Sequence, residues 1–251
     1  MNNIELDMLI PAFLAGLLVL ATHVPLGMKI LARGIIFADL AVAQIAGLGV
    51  ITAGFLEVTE YPLVVQIIAA SSAIFGAILL AIIEQKLPEV QEACIGLLFV
   101  LAASGNILLM NHSTHTGEHL QNLLLGQILL VSNNQLFGTL ALTAVLLASW
   151  RILHKRSGNI GFYVLFALAV TASVQLVGVY LVFASLIIPA LATYRMQQHR
   201  MLTASLIGVT GYTIGLWLSV WADLPSGATI IWVMAMAGAL VMLKNRANLT
   251  V

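Results

Sequence analysis

The chain has 251 residues, 61% of them hydrophobic and only 8% charged, with a mean hydropathy of +1.06. Soluble domains carry about 25% charged residues, so an ordinary water-soluble globule is excluded. Ten basic and ten acidic side chains cancel to a formal net charge of zero, so only their distribution along the chain is informative.

Apolar runs occupy residues 9–28, 34–55, 62–83, 93–110, 134–150, 161–194, 201–222 and 226–243. Several reach the roughly 20 residues that a helix needs to cross a bilayer core, and none shows the short-strand alternation of a membrane barrel. The expected fold is an all-α polytopic bundle of about eight to nine spans, forming a single domain over 1–251. The opening MNNIELDM has no basic flank, so the first run reads as a true span rather than a cleaved signal. The run 161–194 is too long for one untilted crossing and short for two, and Gln175 and Gly178 suggest a break near its middle. Cys94 is the only cysteine, so no disulfide can form within the chain.

All ten basic residues fall in alternate separators: Lys29 and Arg33; Lys86; Arg151, Lys155 and Arg156; Arg195 and Arg200; Lys244 and Arg246. The remaining separators hold acids only, among them Glu57, Glu60, Glu118 and Asp223. The positive-inside rule places the basic set in the cytoplasm. The alternation closes if 161–194 crosses twice, which puts the N-terminus outside and the C-terminus inside. There is no GxxxxGK[ST] phosphate loop, so any ATP would be used by a partner chain.

Asp39, in RGIIFADLAVAQIAGLGV, is the one acid inside an apolar run. At the centre of a membrane helix a carboxylate costs about 2.5–3.5 kcal/mol on insertion scales, so such residues commonly line a path. An interfacial helix-start role is the alternative, since Arg33 is six residues away. Pro189, just before a basic turn, is expected to break its helix, leaving ALATYRM as a short separate helix on the inner surface.

HSTHTGEH, residues 112–119, concentrates three of the six histidines and lies on the outer face in this topology. His115, Glu118 and His119 fit the H-x-x-E-H pattern of inverted zinc proteases. Gly117 and the weak helix formers around it argue against the helix that this chemistry requires. His112, His115, Glu118 and His119 could instead form an outer-face cation site, or simply a solvated polar loop. His23, His154 and His199 are read as incidental.

VGVYLVFASLIIPALAT, RGIIFADLAVAQIAGLG and EHLQNLLLGQILLVS together resemble the permease subunits of bacterial metal-type ABC importers, which take up zinc, manganese or iron. The likeness runs from about residue 9 to 244, and the first of these segments is also similar to cobalamin and siderophore importers. The resemblance implies the type II ABC importer permease architecture and a homodimer in the bacterial inner membrane, surrounded by lipid. Its partners would be a cytoplasmic ATP-binding subunit and an extracytoplasmic metal-binding protein. No nucleic acid, enzymatic activity or resident cofactor is implied. The cargo would be a divalent metal, zinc first, with a metal chelate or the membrane zinc protease as alternatives.

The family's path pairs an aspartate with a histidine one helical turn later. Asp39 matches the aspartate, but Ala43 stands one turn on, and Gln44 is the nearest polar residue, rotated about 140° on an ideal helix. By the same resemblance the ATPase contact would fall on Pro189, Ala190, Ala192, Arg195 and Arg200.

Overall fold

A computed structural model describes residues 3–56, 58, 60–110, 128–156 and 158–247. Among the described residues the chain is all α, with nine helices and two single 3-10 turns. In chain order the helices are α1 (Asn3–Arg33), α2 (Ala38–Phe55), α3 (Pro62–Lys86), α4 (Gln91–Met110) and α5 (Asn133–Arg156). They continue with α6 (Gly158–Val177), α7 (Val179–Ala192), α8 (Arg200–Ala222) and α9 (Ser226–Ala247). Each apolar run of the sequence becomes one helix, except 161–194, which becomes α6 and α7. The break falls at Gly178, whose φ of 81° lies in the left-handed region that glycine enters without a Cβ penalty.

Among the described residues, six helical segments are long and apolar enough to cross a membrane, by length and composition. Two helices are shorter. α7, at 14 residues, rises about 21 Å against a hydrocarbon core of about 30 Å. Its ten buried residues explain how it persists: helix ends are tolerated at membrane depth where protein rather than lipid surrounds them.

Residue contacts group the chain into two units. One comprises Met1–Arg33, Leu124–Ala144 and Gln175–Val251; the other comprises Gly34–Leu123 and Val145–Val174. In the first unit α1 packs on α7 and α8, and α9 packs on α8 and α7. Gly27 of α1 lies directly against the carbonyl of Leu186 in α7, where a Cβ would have no room. Ser185 of α7 and Tyr212 of α8 share a buried hydrogen bond of 3.0 Å between their hydroxyls.

In the second unit α2 packs on α3 and α4. α3 buries Ala69, Ala73, Ala77 and Ala81 at four-residue spacing and exposes Leu63, Ile67, Phe75, Ile78 and Ile82. Small residues inward and large apolar residues outward is the pattern expected of helices packing in lipid, where close backbone approach drives association.

Pro189 departs from expectation. The helix does not break there: Ala190, Leu191 and Ala192 complete the last turn of α7, and Thr193 to His199 form turns and bends, with no separate helix. Proline removes one donor, but with a single turn left to run the helix closes. The Thr193 hydroxyl donates to the Pro189 carbonyl at 2.8 Å.

Candidate functional site

α2 begins after a turn at Gly34, and the backbone N–H of Phe37 donates to Glu92 Oε1 of α4 at 3.2 Å. Glu92 thus satisfies one of the orphan donors that every helix start presents. Asp39 lies in the first turn of the same helix and is 1% exposed. Neither Asp39 oxygen has a hydrogen-bond partner, and Glu92 Oε2 is likewise buried without one. Three of these four carboxyl oxygens are therefore unsatisfied at one helix end. The positive end of the helix dipole favours an anion by about 0.3–1 kcal/mol, far less than the several kcal/mol that burying a carboxylate costs. A cation is the group whose arrival would offset the difference.

Gln44 faces another way. Asn106 Nδ2 of α4 donates to the Gln44 side-chain oxygen at 3.0 Å and to its backbone carbonyl at 3.1 Å. Because a backbone carbonyl only accepts, this contact orients the Asn106 amide and leaves its Oδ1 buried without a partner. Asn106 escaped the sequence reading, although a lone amide inside the run 93–110 is itself an intramembrane polar signal. Glu92 escaped because it sits in an acidic turn that reads as solvated.

Ala190 and Ala192, two of the expected ATPase-contact residues, are buried, at 0% and 5% exposed, as is Pro189. Leu191, Tyr194, Arg195, Gln197, Gln198 and His199 are the exposed groups of this segment. The Arg200 guanidinium lies 5.9 Å from the centroid of the Tyr194 ring, within cation–π range, so that Arg200 braces Tyr194. His112, His115, Glu118 and His119, and with them both the protease pattern and the outer cation site, lie outside the described residues. Among the described residues no group of three or more His, Cys, Asp or Glu side chains is placed to hold a metal ion.

Comparison with known proteins gives a consistent picture. The family model of the ABC 3 transport family matches residues 5–158 and 148–245. The chain is 26% identical over 230 residues to the manganese transport system membrane protein MntC of Halalkalibacterium halodurans, covering 83% of this chain and 77% of that one. Its fold is similar to that of PsaBC from Streptococcus pneumoniae in complex with Fab, with a TM-score of 0.73 at 21% identity, covering 96% of this chain and 91% of the other. It is also similar to a transporter assigned to the metal-chelate type of ABC transporter, in an inward-facing conformation. There the TM-score is 0.65 at 18% identity, covering 94% and 85%.

Proposed function

Because the chain belongs to the ABC 3 transport family, we propose that it is the permease of an ATP-driven importer of a first-row divalent metal ion, manganese ahead of zinc. As a multi-pass transport permease it is not an enzyme, and the zinc-protease alternative falls away.

The observation that carries the proposal is the buried Asp39 carboxylate with both oxygens unpartnered. Asp39 and Glu92 are oxygen donors, and position 43, where an imidazole would favour zinc, is alanine. Carboxylate and carbonyl ligands suit manganese, whereas imidazole and thiolate suit zinc. The name of the similar MntC protein also supports manganese.

In this reading the permease works as a homodimer with a cytoplasmic ATP-binding subunit and an extracytoplasmic metal-binding protein, in the bacterial inner membrane. The basic separators place Lys29 and Arg33, and so the start of α2, at the cytoplasmic end. Asp39 and Glu92 then form the inner part of the path, with Gln44 beside it. His112, His115, Glu118 and His119 receive the ion outside.

Competition among metals tests the proposal. In cells lacking their own importers, the permease expressed with its partner subunits should accumulate radiolabelled manganese. Unlabelled manganese should compete about tenfold better than zinc, a difference of about 1.4 kcal/mol. Stronger competition by zinc would overturn the choice of ion. Uptake only of a chelated metal would overturn free-ion transport.

A further inference from the structure

We infer that the Arg200 guanidinium receives a carboxylate of the ATP-binding subunit through its Nε and Nη2; the inference rests on the importer reading above, which supplies that subunit. Arg200 is the first residue of α8. Its Nε and Nη2 are both buried, and neither has a hydrogen-bond partner among the described residues. These two N–H groups form one edge of the planar guanidinium. That edge is the fork that takes both oxygens of a carboxylate in two parallel hydrogen bonds. The empty donors are therefore a matched pair rather than two unrelated defects.

The unit that holds α8 cannot fill the fork itself. Its acids are Glu5, Asp7 and Asp223. Asp223 caps the other end of the 23-residue α8, about 34 Å away. α1 runs antiparallel to α8, since Gly16 lies against Tyr212 and Gly208 against Leu20, so Glu5 and Asp7 share that far end. The near end holds bases instead: Lys29 and Arg33 close α1, and Lys244 and Arg246 close α9. Arg200 also stands at the positive end of its own helix dipole, where a cation is disfavoured, and His199 supplies no side-chain cap there. A buried cation without a partner is unfavourable in the chain alone, and pairing with an acid offsets it.

The surroundings point to protein rather than lipid as the source of the acid. Tyr194, Arg195, Gln197, Gln198 and His199 are exposed in the adjoining turn. These groups are polar or aromatic, and tyrosine and arginine are enriched in protein interfaces. Because Nε and Nη2 are closed off from solvent, the acid reaches them only when a neighbouring side chain gives way. Tyr194, 57% exposed and with its ring 5.9 Å from the guanidinium, is in position to swing aside.

The test uses the full-length permease in nanodiscs, with its ATP-binding subunit added. Arg200→Lys keeps the charge and loses the fork, and Arg200→Met keeps the apolar stem alone. Both should weaken binding of the ATP-binding subunit at least about tenfold, and metal-stimulated ATP hydrolysis should fall with it. The melting temperature of the permease without its partner should be unchanged or higher in Arg200→Met, because unpaired buried donors have been removed. Nanodiscs of neutral and of anionic phospholipid should give the same loss of binding.

A lower melting temperature of the lone Arg200→Met permease would make the guanidinium a structural prop and overturn the inference. Full binding by Arg200→Lys would overturn the fork. A loss confined to anionic nanodiscs would assign the fork to a lipid phosphate and overturn it as well. Each of these results leaves the importer reading intact. If the unsubstituted permease bound no ATP-binding subunit, the importer reading would fall and the inference with it.

Discussion

Asp39→Asn should cut metal uptake by roughly a hundredfold or more, about 3 kcal/mol of lost stabilisation for the passing ion. The amount of permease in the membrane should be undiminished. The direction follows from the burial of Asp39 with neither oxygen partnered. In the resting protein the carboxylate is a liability, and asparagine, nearly the same size and uncharged, relieves it. A change that eases insertion yet destroys transport separates a path residue from a structural one. Gln44→Ala, by contrast, removes one of the two acceptors of the Asn106 amide and leaves the backbone carbonyl. It should weaken the α2–α4 contact and lower uptake only a few-fold, in proportion to one buried hydrogen bond of about 1 kcal/mol. Radiolabelled uptake, normalised to membrane-embedded protein, compares the two. Normal transport by Asp39→Asn would reduce Asp39 to an interfacial helix-start group.

Arg195→Glu combined with Tyr194→Ala should reduce uptake at least about twentyfold, or about 1.8 kcal/mol, without loss of protein from the membrane. Both residues are exposed in the turn between α7 and α8, and tyrosine and arginine are among the residue types enriched at the hot spots of interfaces. Charge reversal at Arg195 would oppose docking of this basic turn on the proposed ATP-binding subunit, and truncation of Tyr194 would remove the ring that lies 5.9 Å from the Arg200 guanidinium. Substitutions at Ala190 or Ala192 would not test the contact. Both are buried inside α7, and bulk there disturbs helix packing at about 1–3 kcal/mol. Metal-stimulated ATP hydrolysis should fall together with uptake in the double variant. Coupled hydrolysis at the normal rate would remove this turn from the docking surface.

Much of the fold is legible from hydropathy alone because lipid imposes one rule on every span. The apolar runs, their separators and the break near Gly178 all follow from length and composition. The course of the chain around Pro189 is not legible. Whether a proline breaks a helix or merely precedes its end depends on how many residues follow and on the Thr193 hydroxyl that closes the last turn. The outward and inward faces of ALATYRM are likewise set by helices distant in sequence, so the burial of Ala190 and Ala192 could not be foreseen.

The site divides in the same way. Asp39 is conspicuous as the only acid inside an apolar run, and its azimuthal separation from Gln44 follows from helix geometry. The partner that takes Gln44, Asn106, lies 62 residues away, and no local pattern couples them. His23 is a lone imidazole in an apolar run and reads as incidental. Its complete burial, with Nδ1 3.0 Å from the Val19 carbonyl oxygen, is visible only in the fold.

The most direct measurement is metal accumulation in proteoliposomes containing only the permease and its ATP-binding subunit, with the binding protein supplied outside. Manganese should accumulate against its gradient when ATP is present, stop when ATP is withheld, and stop again when the permease carries Asp39→Asn. Accumulation that proceeds without ATP, or equally well through the Asp39→Asn permease, would contradict an ATP-driven path lined by this carboxylate.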